Sequence, residues 1–136
     1  MKIYFLFVFL LIGLVCCKDY KNPYKEGKYA FEKHCGTCHG NNGEGLGSLI
    51  TNLNDLEFIN KNRNQLPCML IKGIHNDSSS VFITRHGDQE MPKNELLTTS
   101  DVVNILNYLN YNLWKMETFD FRTIDSQMNR CSGNQK

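Results

Sequence analysis

The sequence predicts a small all-α domain, because it carries two clear helical patterns and very little that is typical of a strand. Apolar residues recur at spacings of three and four from Lys25 to Cys38 and again from Val102 to Leu113, as in helices that bury one face. Val81-Phe82-Ile83 is the one short run typical of a strand, in a small hairpin that would turn near His86. With 136 residues and no internal repeat, the chain is expected to form one domain.

The first predicted helix, Lys25 to Cys38, runs into a C-x-x-C-H motif formed by Cys35, Cys38 and His39. This is the spacing of a c-type haem attachment site. Two thiols one helical turn apart can reach the two vinyl groups of one porphyrin, and the following histidine is then held under the iron as its proximal ligand. The motif therefore predicts one covalently bound haem c.

Two other kinds of site share part of this spacing, a redox C-x-x-C and half of a structural zinc site. A thioredoxin-like site is expected in a β-α-β context, and no strand pattern precedes Cys35. A zinc site is expected to have a second ligand pair at close spacing, and the sequence has none. Haem is therefore favoured over both alternatives.

The residues after the motif predict a loop and then two short helices. Gly40 to Ser48 has four glycines in nine residues, so we expect a flexible loop whose backbone passes close to a haem edge. It lacks the Gly-Lys-Ser/Thr ending of a phosphate-binding loop. Asp55 to Lys72 predicts two helical pieces around Asn60 to Asn64, with Pro67 in the first turn of the second piece.

A longer helix is predicted to begin after Thr98. This residue is a good N-cap, and Asp101 follows three residues later, as in an acidic variant of the capping box. The apolar stripe of this helix continues to about Trp114. The tail from Lys115 to Lys136 is more polar and predicts a short helix around Ile124 to Cys131. Apolar residues within the tail lead us to expect that it docks on the domain.

Met91 is the best candidate for the second axial ligand of the haem iron, because a soft thioether sulfur binds ferrous haem well. It is expected in a loop, is followed by Pro92 and precedes the capped helix. Met69 lies at a core spacing of a predicted helix, where methionine usually fills space. His75 and His86 are the nitrogen alternatives, and we expect them to be surface or turn residues.

With these features in this order, the chain from about Pro23 to Trp114 resembles a class I c-type cytochrome. The resemblance implies an all-α, cytochrome c-like fold around one covalently bound haem, with His39 and Met91 at the axial positions. It also implies that the first and last helices of the domain cross. The positions that match this crossing are Gly27 and Phe31 on the first helix, and Ile105 and Tyr108 on the last.

One position departs from the pattern of this family. The family usually has a proline after the Gly-rich loop, and the carbonyl of that proline accepts a hydrogen bond from the proximal histidine. Thr51 stands there in this sequence. We expect a carbonyl of Ile50 or Thr51 to take this role with a less rigid presentation. Such a bond sets the basicity of the imidazole and hence the redox potential.

The N-terminus predicts a targeting segment. Ile3 to Val15 is a run of thirteen uncharged residues, and as a helix it would extend ~20 Å, less than the ~30 Å hydrocarbon core of a membrane. A cleaved signal peptide over residues 1–16 therefore fits better than a spanning helix, with an uncleaved anchor or a plain signal peptide as alternatives. The end of the run resembles a bacterial lipoprotein box, except that Cys16 stands where Gly, Ala or Ser is preferred. We expect lipid on Cys17 and a tether over residues 17–24.

The remaining cysteines predict a disulfide. Cys16 would leave with the signal peptide, Cys17 would carry lipid, and two cysteines belong to the haem motif. Cys68 and Cys131 are then an even pair in an exported and therefore oxidising context. Their bond would link the predicted cytochrome domain, residues 25–114, to the C-terminal tail, residues 115–136.

These features together predict electron transfer rather than catalysis. We expect a monohaem carrier, lipid-anchored on the periplasmic side of a bacterial membrane, that meets an oxidase, reductase or dehydrogenase in transient contacts. A permanent haem c subunit of a larger oxidase or dehydrogenase is an alternative, and a haem peroxidase or gas sensor would need a vacant sixth site. The formal charge of +1, without a basic stripe, gives no sign of nucleic-acid binding.

Overall fold

The computed structural model describes residues 22–75 and 90–133, and these ranges contain six α-helices and two short turns of other helical types. In chain order the elements are α1 (Lys25–His34), α2 (Gly36–His39), α3 (Leu56–Lys61), a 3₁₀ turn (Arg63–Gln65), α4 (Leu66–Lys72), α5 (Thr99–Leu109), a π-helical turn (Asn110–Trp114) and α6 (Phe121–Gly133).

The all-α prediction is confirmed for the described residues, which hold two isolated antiparallel bridges and no strand. The predicted signal peptide with Cys16, the lipidation site Cys17, the hairpin at Val81 to Ile83 and the candidate ligand His86 lie outside the described ranges. Within those ranges, no helix combines the length and apolar character that crossing a membrane would require.

The pairing of α1 with α5 is the most extensive helix contact of the fold. A Cβ added to Gly27 on α1 would overlap the backbone carbonyl of Asn104 on α5 and lie 2.8 Å from the Cβ of Tyr108. The missing side chain therefore allows the two backbones to approach closely, as the sequence predicts. One turn further along α1, the ring of Phe31 is fully buried and tilts against the ring of Tyr108, with centroids 5.7 Å apart.

The first helix ends four residues earlier than predicted. α1 stops at His34, and Cys35 adopts a non-helical conformation with φ −124° and ψ −27°. A separate single turn, α2, then carries Cys38 and His39. The break is small, because the amide of His39 still donates to the carbonyl of Cys35 at 2.9 Å, so the attachment motif keeps its one-turn spacing.

The two helices in the middle of the chain, α3 and α4, form where the sequence predicts two helical pieces. Asp55 caps α3 by accepting a hydrogen bond from the Phe58 amide at 3.0 Å. Pro67 lies in the first turn of α4, where its missing N–H costs no hydrogen bond. Leu66 and Met69 of α4 are buried and Leu70 is half-buried, so this helix faces the core with the predicted side.

The predicted capping box at the start of α5 is present. The hydroxyl of Thr98 accepts from the Asp101 amide, and the Asp101 carboxylate accepts from the Thr98 amide at 2.9 Å. The helix ends in the π-helical turn, which Lys115 terminates with a left-handed conformation (φ 55°). This residue turns the chain back, so that the tail returns along the domain.

A buried amide clamp holds the returning chain. The side chain of Asn107 on α5 both donates to and accepts from the backbone of Phe119, each at 2.9 Å. Asn110, three residues later on the same helical face, does the same with Met116 at 2.9 and 2.8 Å. Arg63 adds a hydrogen bond to the Glu117 carbonyl at 2.7 Å. The clamp satisfies backbone groups that would otherwise be buried without partners.

The tail helix α6 is longer than the predicted segment and packs on both α4 and α5. Its residues Ile124 and Gln127 are buried, and Thr99 of α5 donates to the Asp125 carboxylate at 2.9 Å. Cys131 is placed in a disulfide with Cys68 of α4, with Cα atoms 5.6 Å apart. This separation is within the range that a disulfide requires.

We predict that non-reducing peptide mapping of the purified protein yields a linked pair of peptides that contain Cys68 and Cys131, and that reduction separates them. Because the bond closes a loop with a sequence separation of 63 residues, the Cys131→Ala variant should lose about 4 kcal/mol of the free energy of unfolding on the chain-entropy model. Denaturant unfolding with and without reductant measures this loss. Full alkylation of both thiols in the unreduced protein would contradict the pairing.

Candidate haem site

The core of the domain contains one large apolar cavity of about 260 Å³. Residues of α1, α3, α4 and α5 line it, together with the chain from Leu49 to Leu53 and the π-helical turn. Both motif cysteines, His39, Met91 and Met69 are among the lining residues. The structure therefore brings the predicted attachment residues and the predicted axial ligand to the wall of one cavity.

The two thiols of the motif differ in burial. Cys35 is half-buried, and loss of hydration raises the pKa of its thiol to about 11, with a further contribution from the nearby Cys38 thiol. Cys38 is exposed, and neither cysteine is bonded to another cysteine in the described ranges. A redox-active C-x-x-C lowers the pKa of its attacking thiol. The raised pKa of Cys35 is the opposite behaviour, and it supports the rejection of a thioredoxin-like site.

His39 is held with its imidazole partly inside the cavity. Burial lowers the pKa of this imidazole, so the neutral form that can ligate a metal is favoured. Its Nδ1 atom is buried and has no hydrogen-bond partner of good geometry among the described residues. The Thr51 carbonyl acts in the opposite direction and raises the pKa of the ring, by less than burial lowers it.

Thr51 is not a proline, so no ring fixes its φ. The Gly-rich loop does not line the cavity. Instead, its glycines take positive φ values, and the amide of Gly45 donates to the His39 carbonyl at 2.8 Å.

Met91 is fixed by its backbone. Its amide and carbonyl pair with those of Ile74 in an antiparallel bridge, at 2.9 and 2.8 Å. Gly73 makes this approach possible, because a Cβ there would overlap the Met91 carbonyl, and its φ of 74° is unfavourable for other residues. The bridge holds Met91 at the cavity wall, although residues 75–90 separate Met91 from Ile74 in the sequence.

The alternative axial ligands are placed less favourably or lie outside the described residues. Met69 also lines the cavity, but it is a core residue with 3% of its surface exposed, as expected of a methionine that fills space. His75 is exposed, does not line the cavity and lies 3.5 Å from the Glu90 carboxylate. These positions favour Met91 over His75, whereas the preference for Met91 over Met69 rests on the sequence, in which Met91 precedes Pro92 and the capped helix.

Sequence reasoning missed one group of residues that line the cavity. Leu49, Ile50 and Leu53 lie in a stretch without helical or strand periodicity, so no pattern marks them as core. The indole of Trp114 donates to the Leu53 carbonyl at 2.8 Å and ties this stretch to the end of the π-helical turn. A tryptophan at the end of an apolar stripe was the one available signal.

The chemistry of this donor set fits a covalently attached haem. Two thiols, an imidazole and a thioether surround a space that is otherwise lined mostly by apolar side chains, with Asp55 and Glu90 also at its wall. Cys35 and Cys38 would hold the porphyrin through thioether bonds, and His39 would ligate the iron through a ring nitrogen.

Comparison with protein families gives one match. The family model described as cytochrome C oxidase, cbb3-type, subunit III matches residues 22–109, which is more than half of the chain. The match includes the attachment motif, the middle helices, Met91 and the whole of α5. No curated protein matches the chain at a significant level.

We predict that the haem stays with the polypeptide when the protein is denatured and extracted with acidic organic solvent, because both thiols are placed for thioether bonds. The intact mass should exceed that of the processed chain by one haem. In a Cys35→Ala/Cys38→Ala variant, any bound haem should pass into the organic phase. Release of haem from the unmodified protein would contradict covalent attachment.

Proposed function

This chain belongs to the cbb3-type cytochrome c oxidase subunit III family, whose members carry a class I c-type cytochrome domain with covalent haem c, and on this premise we propose that it transfers electrons with His39 and Met91 as axial ligands. The domain itself supports haem-based electron transfer. The observation that supports the finer proposal is the cavity, which brings both thiols, an imidazole and a thioether to one apolar space.

His/Met ligation explains why the site is suited to electron transfer rather than to catalysis. Bound haem supplies a one-electron couple, and a thioether opposite an imidazole raises its potential. Two protein ligands leave no open position for oxygen or peroxide. The enzyme and sensor alternatives require such a position, so strong and fast binding of carbon monoxide to the reduced protein would favour them.

The chain contributes rigidity and exclusion of water. Ile105, Leu106 and Leu109 on α5 are buried and form one wall of the cavity. Helix α5 is in turn held against α1, which leads directly into the attachment motif. The closely packed apolar wall that α5 provides would keep the iron ligands in place in both oxidation states, so little rearrangement would accompany electron transfer.

A permanent role in a larger complex is the second candidate function. The matching family is that of subunit III of cbb3-type cytochrome c oxidase, which favours an oxidase over other assemblies. In this reading the same haem passes electrons within the complex rather than to a diffusing partner. Co-purification in mild detergent distinguishes the two, since a free carrier would separate from its partners and a subunit would not.

We further propose that lipid on Cys17 anchors the protein to the periplasmic side of a bacterial membrane. The support for this comes from the sequence, because a short uncharged run ends at a cysteine that is followed by charged residues. Residues 17–24 would then act as a tether between the membrane surface and α1. Redox proteins of the same membrane are the partners that this placement favours.

We predict that Met91→Leu abolishes the weak long-wavelength sulfur-to-iron band of the ferric protein and lowers its redox potential, because the thioether no longer favours ferrous iron. Met69→Leu is the matched control, since Met69 lines the same cavity and the change nearly conserves volume. It should keep the band. If Met69→Leu removed the band and Met91→Leu kept it, the assignment of Met91 would be wrong.

We predict that Cys17→Ser releases the protein from the membrane fraction and removes the mass of the acyl chains. Two or more acyl chains on one residue hold a protein stably at a membrane, and serine cannot form the thioether-linked lipid. Cys16→Ser is the control and should leave fractionation unchanged. Equal fractionation of the Cys17→Ser variant and the unmodified protein would reject the lipid anchor.

A further inference from the structure

A side-chain contact joins the loop of Met91 to the segment that attaches the haem. The amide Nδ2 of Asn94 donates to Nδ1 of His34 at 3.3 Å, with the imidazole in the tautomer that carries its proton on Nε2. Asn94 lies three residues after Met91, and His34 is the last residue of α1, directly before Cys35. Both side chains are half-buried.

On its other side, backbone hydrogen bonds hold the same loop, next to the contact between Glu90 and His75. Ile74 exchanges two hydrogen bonds with Met91, and the amide of Asn94 donates to the Ile71 carbonyl at 3.1 Å. These bonds attach the loop to the end of α4. They do not connect the loop directly to α1 or to the attachment motif.

We propose that Asn94 and His34 are a positioning pair that keeps the Met91 loop closed over the haem iron, an inference that rests on the proposed ligation by Met91. The pair spans from the loop to the residue before the first attachment cysteine. Through this hydrogen bond, the segment that attaches the haem would hold the loop that carries the proposed second axial ligand. Neither residue lines the haem cavity, so their effect acts through the loop and not through contact with the cofactor.

His34 acts on Asp101 as well as on Asn94, so the test must distinguish the effects of these two contacts. Hydrogen bonds from Thr98 lower the pKa of the Asp101 carboxyl at the N-terminus of α5, and Lys33 and, when protonated, His34 lower it further. Loss of the imidazole could therefore act through this electrostatic contact instead of through Asn94. A glutamine at position 34 removes the ring and its charge, and its side-chain oxygen can still accept from Asn94.

The test uses the ferric holoprotein with imidazole as an external ligand that competes with Met91 for the iron. A loop that opens more often exposes the iron more often, and the apparent affinity for imidazole rises in proportion. Loss of one ordinary hydrogen bond should make imidazole bind about fivefold more tightly in Asn94→Ala and in His34→Leu. The double variant should resemble the single ones, because both remove the same bond.

Two variants serve as controls. His34→Gln should remain close to the unmodified protein, because it can restore the acceptor. Asn60→Ala changes an exposed asparagine on α3 and should leave imidazole affinity unchanged. Denaturant unfolding of all variants is measured in parallel. Lower stability of Asn94→Ala and His34→Leu without tighter imidazole binding would overturn the proposal and assign the pair a merely structural role.

The outcomes also separate this inference from the proposed function. If the sulfur-to-iron band is present in the unmodified protein and imidazole affinity is equal in every variant, Met91 ligation stands and the positioning pair is rejected. If the unmodified protein lacks the band, the ligation proposal fails and the pair fails with it. Equal effects of His34→Gln and His34→Leu, without an effect of Asn94→Ala, would point to Asp101 and reject the pair.

Discussion

The close approach of Gly27 to the backbone of Asn104 is the constraint on which the rest of the structure depends. The atoms that a side chain at position 27 would meet are a backbone carbonyl and the first carbon of Tyr108, and neither can move aside as the tip of a long side chain can. This contact sets α1 against α5. Helix α1 carries the attachment motif at its end, and α5 supplies the apolar wall of the cavity, so the contact fixes the haem cysteines relative to that wall.

Much of this arrangement could be predicted because it is encoded locally. The C-x-x-C-H spacing, the capping box at Thr98 and the apolar stripe of α5 each depend on residues within a few positions of one another. The glycine at position 27 was interpretable for a related reason, since a glycine inside a helical pattern costs stability unless another backbone approaches it. In each case the pattern and its physical cause lie in the same short stretch.

The features that sequence reasoning missed depend on contacts between distant residues. Nothing around Asn107 or Asn110 indicates that their amides bind the chain that returns after Lys115, because buried and exposed asparagines look alike in a sequence. The early end of α1 at His34 has a similar origin. The attachment motif must turn toward the cavity, and this tertiary demand overrides the helical periodicity that continues through Cys35.

The bridge between Ile74 and Met91 fixes the position of Met91 without depending on the residues that precede it in the sequence. Ile74 and Met91, which flank residues 75–90 in the sequence, are hydrogen-bonded to each other. Doubling the length of a flexible loop between fixed ends costs only about 0.6 kcal/mol. Evolution can therefore lengthen, shorten or rewrite the sequence between these two residues without displacing Met91 from the cavity wall.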